Sequence, residues 1–404
     1  MKRANSLQCS ILLIAAAVAL PASIAQAQCT VTTLASFNGT NGQNPLAGLT
    51  LSGNTLYGTT GWGGAYSYGT VFSVPITGGT PTVLATFNGS NGQTPYSDLT
   101  LSGNTLYGTT EWGGAYADGA VFSVPISGGS PTVLASFNGA NGEVALSALT
   151  FSGNTLYGTT WEGGAYGFGT VFSVPISGGT PAVLASFNAA DGNYPWATLT
   201  LSGNTLYGTT AAGGPGGYGT VFSLPITGGT PTVLTSFNDS DGNQPIAALT
   251  LSGDTLYGTT VYGGAYGDGT VFSLPITGGT PTVLASFNGS DGEEPFASLT
   301  LSGNTLYGTT EWGGAYDDGT VFSLPITGGT PTDLLSFNDT DGGCPSTDLI
   351  LLGNTLYGTT QGGGAYDDGT VFALSIPEPA ISSLLLLASA GILVSRRRVH
   401  PIRL

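Results

Sequence analysis

Short runs of alternating apolar and polar residues recur along the chain, with turn residues between them. In one copy these runs cover 99–103 (LTLSG), 105–110 (TLYGTT), 120–126 (AVFSVPI) and 133–137 (VLASF). A period of two is typical of half-buried β-strands, and the Gly-Asn pair between the first two runs indicates a two-residue hairpin. Each copy therefore predicts four strands, a to d. Pro125 is expected at the end of strand c or at a bulge, where no ladder donor is needed.

The repeat has a constant length. The pentapeptide LYGTT begins at seven positions spaced by fifty residues: Leu56, Leu106, Leu156, Leu206, Leu256, Leu306 and Leu356. Repeats of this length predict a propeller or an array, not a single layered domain.

The phase of the repeat favours a closed ring. Residues 29–38 (CTVTTLASFN) form a strand d with no partner before them, and the last copy ends after its strand c at residue 376. The first strand can complete the last blade, which removes the exposed edges of an open array. We predict an all-β, seven-bladed propeller of four-stranded blades over residues 28–376. The alternative is a β-solenoid, which would not account for the displaced strand.

Two resemblances support this architecture. The succession of LYGTT, a glycine pair, VFSVPI, a second glycine pair and VLASF is similar in layout to blades of pyrroloquinoline-quinone-type propellers. The segment SFNGSNGQTPYSDLTLSGNTLYGTTEWGGAYADGAVF resembles the GloVer tandem repeat of exported bacterial proteins over nearly all of residues 30–376. The second resemblance implies a fold and an exported location, and it brings no established activity.

The charge distribution excludes several classes of function. Between Arg3 and Arg396 there is no Lys, Arg or His, while the chain has 23 Asp and Glu residues. Nucleophilic triads, Schiff-base lysines and ordinary zinc sites therefore cannot be assembled. Nucleic acid is also excluded as a partner, because binding to phosphates needs basic residues. Catalysis by two carboxylates on a glycoside stays open.

Both ends predict export. Residues 1–27 have a basic start, an apolar stretch and an Ala-Gln-Ala site, the pattern of a cleaved signal peptide. Residues 377–404 combine a Pro-Glu-Pro triplet, an apolar run predicted as a helix, and an arginine cluster. This segment resembles PEP-CTERM sorting signals, which implies recognition by an exosortase and membrane insertion before processing. The alternative is a permanent membrane anchor. The signal residues are Pro377, Glu378, Pro379, Arg396, Arg397 and Arg398.

Acidic and aromatic residues concentrate on one predicted face. The d-to-a and b-to-c connections share that face, which we name the loop face; they hold twenty of the 23 acidic residues and all five tryptophans. Aromatic rings beside acids and amides suit carbohydrate. The recurring tyrosines, such as Tyr116, are expected to pack loops against the next blade. The ligand-binding candidates are Trp62, Glu111, Trp112, Asp118, Trp161, Glu162, Trp196, Glu311 and Trp312.

A weaker pattern points to calcium. The segments NDSDGN, NGSDGEE and NDTDGG place carboxylates before a turn glycine, which gives the candidates Asp239, Asp241, Asp291, Asp339 and Asp341. Asn41, Asn91 and Asn141 stand at the equivalent position in other copies, and a turn-stabilising role explains both residue types. No other cofactor is expected. The strand assignment also predicts no disulfide between Cys29 and Cys344, which would lie at opposite ends of a strand.

Taken together, these features favour an exported, surface-associated and non-enzymatic propeller that binds or organises polysaccharide through its loop face. Two alternatives are a structural spacer without a specific ligand, and a glycoside-active enzyme in which Glu111 or Glu162 works with a neighbouring Asp.

Overall fold

The computed structural model describes residues 29–377, in which all regular structure is β-strand. In this range there is no helix long and apolar enough to cross a membrane. The predicted signal peptide, residues 1–27, lies outside the described residues, and so does the predicted sorting segment beyond Pro377.

Twenty-eight strands form seven antiparallel sheets of four strands, as the repeat predicts. The chain begins with β1 (Thr30–Ser36). Blades 1 to 3 comprise β2 (Thr50–Ser52), β3 (Thr55–Thr60), β4 (Thr70–Pro75) and β5 (Thr82–Thr86); β6 (Thr100–Ser102), β7 (Thr105–Thr110), β8 (Ala120–Pro125) and β9 (Thr132–Ser136); and β10 (Thr150–Ser152), β11 (Thr155–Thr160), β12 (Thr170–Pro175) and β13 (Ala182–Ser186).

The remaining blades repeat the same lengths. Blades 4 to 6 comprise β14 (Thr200–Ser202), β15 (Thr205–Thr210), β16 (Thr220–Pro225) and β17 (Thr232–Ser236); β18 (Thr250–Ser252), β19 (Thr255–Thr260), β20 (Thr270–Pro275) and β21 (Thr282–Ser286); and β22 (Thr300–Ser302), β23 (Thr305–Thr310), β24 (Thr320–Pro325) and β25 (Thr332–Ser336). Blade 7 adds β26 (Ile350–Leu352), β27 (Thr355–Thr360) and β28 (Thr370–Ser375). Strands a to d follow one another within each sheet, and strand a lies innermost.

The first strand closes the ring, which confirms the prediction from the repeat phase. β1 pairs with β28 from Thr30–Ser375 to Ser36–Thr370, so blade 7 has the order β1-β28-β27-β26. The two ends of the described chain therefore share one sheet, and β1 covers the edge that β28 would otherwise leave open.

The outer strands confirm the expected role of proline and add a bulge. Pro125 is the final residue of β8 and pairs with Thr105. Strand d bulges at Leu134, because Val121 pairs with Ala135 while the next residue pairs with Val133. The Leu134 carbonyl accepts a hydrogen bond of 2.9 Å from the N–H of Gly179 in the following blade. The bulge thus provides a link between blades.

Hydrophobic cores lie between neighbouring blades. Phe87 of one blade and Phe122 of the next are fully buried and meet edge to face, with ring centroids 4.9 Å apart. Leu99, Leu106 and Val124 surround this pair. The same cluster recurs around the ring, because each blade must present the same surface to its neighbour. The LYGTT residues are therefore largely buried architecture.

Cys29 and Cys344, the two cysteines in the described range, are free thiols. Cys29 precedes β1 and packs beside Val31. Cys344 lies in the loop that leads to β26, where its N–H donates to the Asp318 carbonyl at 2.9 Å.

Candidate functional site

Seven loops on the loop face turn inwards just before strand a. The turn is made by a non-glycine residue with positive φ, for example Thr94 (φ 51°) and Val144 (φ 59°). This conformation is strained for β-branched side chains. It is held by two backbone hydrogen bonds: the Val144 N–H donates to Asp118 of the preceding blade, and the Val144 carbonyl accepts from Trp161. The next few residues therefore enter the centre of the ring.

These residues line a cavity of about 290 Å³ at the mouth of the central channel. Two positions per repeat supply most of the lining. The outer position carries large side chains: Leu46, Tyr96, Leu146, Trp196, Ile246, Phe296 and Ser346. The deeper position carries small or acidic ones: Gly48, Asp98, Ala148, Thr198, Ala248, Ser298 and Asp348. Glu311 and Gln361, each directly after a LYGTT strand, complete the lining.

One side of the mouth is an aromatic wall built by blades 2 to 5. Trp161 stacks on Tyr194 with ring centroids 4.9 Å apart and meets Trp196 edge to face at 5.1 Å. Tyr96 of blade 2 also contacts Trp196 edge to face, at 5.5 Å. Ile246 and Val261 pack behind these rings. The wall therefore offers ring edges and faces to whatever enters the cavity.

The other side of the mouth is acidic. Burial raises the pKa of Glu311 to about 7, and the nearby Glu294 carboxylate adds to this effect. Burial also raises the pKa of Glu111, against the lowering effect of a hydrogen bond from Trp112. The pKa of Tyr96 rises to about 12 through burial and through the charges of Glu311 and Glu111, so the phenol stays protonated. The Glu311 carboxyl and the Gln361 amide thus line the same cavity as Tyr96 and Trp196.

Two further acidic residues, Asp98 and Asp348, line the cavity on either side of Gly48. Asp98 and Asp348 flank Gly48: a Cβ on that glycine would lie 2.9 Å from Asp98 Oδ2 and 3.2 Å from the Asp348 Cβ. Burial raises the pKa of Asp98 to about 7, and the charge of Asp348 adds to it, while a hydrogen bond from the Gly48 N–H lowers it. Burial raises the pKa of Asp348 as well.

The structure divides the sequence-predicted residues between the channel and the outer loop face. Trp196 and Glu311 line the cavity. Trp161 packs against Trp196 beside it, and Glu111 lies near Tyr96. Trp62, Trp112 and Trp312 point outwards, with Trp62 44% exposed. Glu162 occupies the same position as Trp112 on the outer side, where its backbone bridges to Glu143. Asp118 lies at the border between blades, with Oδ2 3.9 Å from the position of a Cβ on Gly139.

The recurring tyrosines do not pack against the next blade, and that expectation is wrong. Tyr116 is 62% exposed, and its equivalents are similar. The preceding glycine pair has positive φ, which turns the loop away from the sheet and leaves the next side chains in solvent. The six exposed tyrosines are Tyr66, Tyr116, Tyr166, Tyr266, Tyr316 and Tyr366.

Three of the calcium candidates stabilise turns. Asp241, Asp291 and Asp341 accept hydrogen bonds from the backbone N–H of the asparagine three residues earlier, as Asn41 does in its copy. Asp239 and Asp339 lie in the same turns with positive φ. Within residues 29–377, no three His, Cys, Asp or Glu side chains converge as a metal site would require.

Sequence reasoning missed Tyr96, Asp98 and Asp348 as site residues, because it grouped both aspartates with the loop acids. A comparison of the seven copies column by column offers the one signal that could have revealed them. At the Asp98 position the other copies have Gly, Ala, Thr or Ser, apart from Asp348. Two acids in a column of small residues directly before strand a indicate an inward-facing position.

The chain matches a known repeat family. A profile of the Gloeobacter/Verrucomicrobia repeat matches residues 22–217 and 202–390, which together span most of the chain. No curated protein matches it.

Several solved structures share the fold at low sequence identity. A candidate 6-phosphogluconolactonase from Bacteroides uniformis is 17% identical, with a TM-score of 0.52 over 77% of this chain and 88% of that one. The extracellular domain of a candidate hybrid two-component system from B. thetaiotaomicron is 11% identical. Its TM-score is 0.55, over 87% of this chain and 40% of that one. A europium-containing methanol dehydrogenase is 10% identical, with a TM-score of 0.51 over 86% of this chain and 93% of that one. At these identities the likeness concerns the fold alone.

Proposed function

The chain belongs to the Gloeobacter/Verrucomicrobia repeat family, and we propose that it is a non-enzymatic propeller that binds polysaccharide, with one sugar unit held at the channel mouth. The observation that carries this proposal is a cavity lined by Trp196, Tyr96 and the Glu311 carboxyl, with Trp161 packed edge to face on Trp196. An aromatic face covers the C–H face of a sugar ring, while carboxylates and amides accept or donate to its hydroxyls.

The size of the cavity supports a small unit. Its volume of about 290 Å³ lies at the lower end of the range for small-ligand pockets, roughly 300 to 1,000 Å³. A single sugar ring fits this space, and the remainder of a chain would continue over the loop face.

The outer loop face offers further contacts to a long ligand. Trp62, Trp112 and Trp312 lie in one partly exposed ring, and the six exposed tyrosines lie in the same loops. Their rings can stack on sugar faces, and the tyrosine hydroxyls can bond to sugar hydroxyls. Repeated weak contacts along a polymer add up to firm binding, because later contacts form within one complex.

The ends of the chain supply the proposed location. The signal-peptide pattern of residues 1–27 supports export, and the Pro-Glu-Pro triplet, apolar run and arginine cluster of residues 377–404 support sorting by an exosortase-type enzyme at the membrane. A propeller placed there would hold or organise polysaccharide at the cell surface.

A glycan-array screen of the full-length chain, with and without calcium, tests the proposal. Trp196→Ala should weaken binding of a retained glycan by roughly tenfold or more, because it removes the centre of the aromatic wall. Trp112→Ala should weaken it less, since that side chain lies outside the cavity. Leu352→Ala, an exposed change at the far end of strand a, is the control. Thermal unfolding verifies that each variant is folded.

The outcomes separate the alternatives. If no glycan is retained in either condition, the binding proposal fails and the structural spacer is favoured. Turnover of a glycoside that is lost in Glu111→Gln would instead identify an enzyme that uses the carboxyls of the mouth. Binding that survives Trp196→Ala but not Trp112→Ala would move the site to the outer face.

A further inference from the structure

A tripeptide of the form Asn-X-Ser or Asn-X-Thr follows strand d in five of the seven repeats. These acceptor segments are 38–40 (NGT), 88–90 (NGS), 238–240 (NDS), 288–290 (NGS) and 338–340 (NDT). The middle residue is Gly or Asp and never Pro, so each segment has the form that accepts an N-linked sugar in exported proteins. The other two repeats have Ala140 and Ala190 in place of the hydroxyl residue.

The first two acceptor segments hold their asparagines in the same geometry. Asn38 and Asn88 are both exposed. The Asn38 Oδ1 accepts hydrogen bonds from the Thr40 hydroxyl at 2.8 Å and from the Asn41 N–H at 3.1 Å. The Asn88 Oδ1 accepts from the Ser90 hydroxyl at 2.8 Å. These bonds direct the amide oxygen into the turn, whereas the amide nitrogen Nδ2 has no hydrogen-bond partner within residues 29–377.

The turn itself does not need the hydroxyl. In the third repeat the Asn138 N–H donates to Asn141 Oδ1 at 3.0 Å, and the Asn141 N–H donates back to Asn138 Oδ1 at 3.1 Å. The Ala140 N–H donates to the Asn138 carbonyl at 2.8 Å, as the Thr40 N–H does to Asn38. The same turn therefore forms with alanine, and it does not explain the Ser and Thr of the acceptor segments.

The last three acceptor segments differ from the first two at the amide nitrogen. Asn238 Nδ2 donates to Asp241 Oδ2 at 2.7 Å, and the same bond recurs in the next two repeats at 3.2 Å. The first two repeats have Asn41 and Asn91 at the aspartate position. A nitrogen that is bonded to a carboxylate is less free to act as a nucleophile. The ring therefore contains two open acceptors and three occupied ones.

We propose that Asn38 and Asn88 are modification sites that receive N-linked glycans from a membrane oligosaccharyltransferase after export. The Nδ2 atom attacks the anomeric carbon of an oligosaccharide that is carried on a polyprenyl diphosphate. A C–N bond forms, the C–O bond to the diphosphate breaks, Nδ2 releases one proton, and the lipid diphosphate leaves. This inference requires the export that residues 1–27 predict. It does not depend on polysaccharide binding at the channel mouth.

Both sites lie away from the channel mouth. Asn38 follows β1 of blade 7, and Asn88 follows β5 of blade 1; these strands are the outermost of their sheets. The two blades are neighbours at the point where the ring closes. Glycans at these positions would therefore flank the closure of the ring on the rim of the loop face.

Mass spectrometry of the exported chain, isolated from its native cells, tests the proposal. Chymotryptic peptides with Asn38 and Asn88 should carry an oligosaccharide on the asparagine. Thr40→Ala and Ser90→Ala should each abolish the glycan at their own site only, and Ser90→Thr should retain it. The alanine variants should fold, because Ala140 occupies this position in the third repeat; thermal unfolding verifies this.

Two further variants test for a gain of modification. Ala140→Ser gives the third repeat the sequence NGS and should add a glycan at Asn138, which is unmodified in the original chain. Asp241→Asn gives the fifth repeat the residue that the first two have. It should raise the fraction of Asn238 that carries a glycan, because it removes the carboxylate that holds Nδ2.

Three results would overturn the proposal. The first is an exported chain in which Asn38 and Asn88 carry no sugar, including one in which they are only converted to aspartate. The second is a glycan that persists in both Thr40→Ala and Ser90→Ala. The third is a sugar attached to the hydroxyl residues instead of the asparagines.

Discussion

Glu111 and Trp161 occupy the same position in their repeats, directly after the strand that LYGTT forms. Side chains there face inwards, and Glu311 and Gln361 line the cavity, whereas the next position points outwards, because successive residues of an extended chain face opposite sides. Blade 2 reads Glu-Trp and blade 3 reads Trp-Glu. This reversal puts an acid into the channel from one blade and an indole from the next. The two-sided character of the mouth depends on such single-residue exchanges.

The repeated glycines have two different roles at the residue scale. Gly113 has a φ of 82°, and a Cβ there would lie 2.4 Å from the Gly89 carbonyl, so the loop needs glycine for both conformation and space. Gly108, within LYGTT, lies in an ordinary strand conformation. A Cβ on it would lie 2.7 Å from the ring of Phe122. That glycine makes room for a core side chain.

Stability should fall as the pH rises through neutrality. The pKa of Asp98 is about 7 in the folded chain, against 3.8 in its unperturbed state, so between these values the folded protein holds a proton that the unfolded chain has released. Raising the pH removes this proton and leaves two charged carboxyls together. The free energy of unfolding should be lower at pH 8 than at pH 5 by about 1 kcal/mol or more, measured by denaturant unfolding.

Asp98→Asn provides the matched comparison, since an amide has nearly the same shape and does not ionise in this range. The substitution should reduce the change in the free energy of unfolding between pH 5 and pH 8. Adding Glu311→Gln should reduce that change further. If the variant with both substitutions keeps the original slope, Asp98 and Glu311 do not cause the pH dependence of stability. General repulsion among surface acids would then be the cause.

At the scale of elements, threonine hydroxyls join the innermost strands. The hydroxyl of Thr200, at the start of β14, donates to the Leu249 carbonyl of the next blade, and the same bond recurs at six of the seven junctions. In blade 7 the position is Ile350, which has no hydroxyl. The junction between blades 7 and 1 therefore lacks one link that every other junction has.

Removal of one such link should be measurable. Thr200→Val retains the shape of the side chain and leaves the Leu249 carbonyl without this donor, so we expect a loss of about 1 kcal/mol in the free energy of unfolding. Thr205→Val, one strand away, makes the same change at a hydroxyl that has no hydrogen bond within residues 29–377. An equal loss in both variants would contradict the role of the link.

The whole ring is held closed by a strand from the other end of the chain. β1 contributes Ala35, and the adjoining Phe37, to the core against blade 1, and it covers the edge of β28. This pairing brings together residues more than 300 positions apart. Closure therefore depends on a contact that is costly in chain entropy and that forms only when all seven blades are in place.

Deletion of residues 29–36 should destabilise the entire propeller by several kcal/mol, because it exposes an edge and opens a core cluster. Thermal unfolding with light scattering would measure the loss and the resulting association. As a control, residues 32–38 can be placed after residue 376 through the turn sequence of 277–281, so that strand d follows strand c in the register of the other blades. This permuted chain should regain the original midpoint. Failure of the deletion to lower the midpoint would show that β1 does not hold the ring.

The sequence by itself determined the strands, the number of blades and the manner of closure. The reason is physical: alternation, turn glycines and a fixed repeat length act locally, and the displaced first strand had one place to pair. It also showed that acids and tryptophans gather on the loop face. It did not distinguish Trp62, which lies in solvent, from Trp196, which lies in the channel.

Only the tertiary structure decided which side chains share a site. Asp98 and Asp348 are 250 residues apart in the chain, and they meet because the ring places blades 7 and 2 on either side of Gly48. The strained turn before strand a, which sends these residues inwards, is stabilised by hydrogen bonds from two other loops and has no local signature. Local patterns fix the elements, whereas the cavity, its aromatic wall and its paired carboxyls arise from closure of the ring.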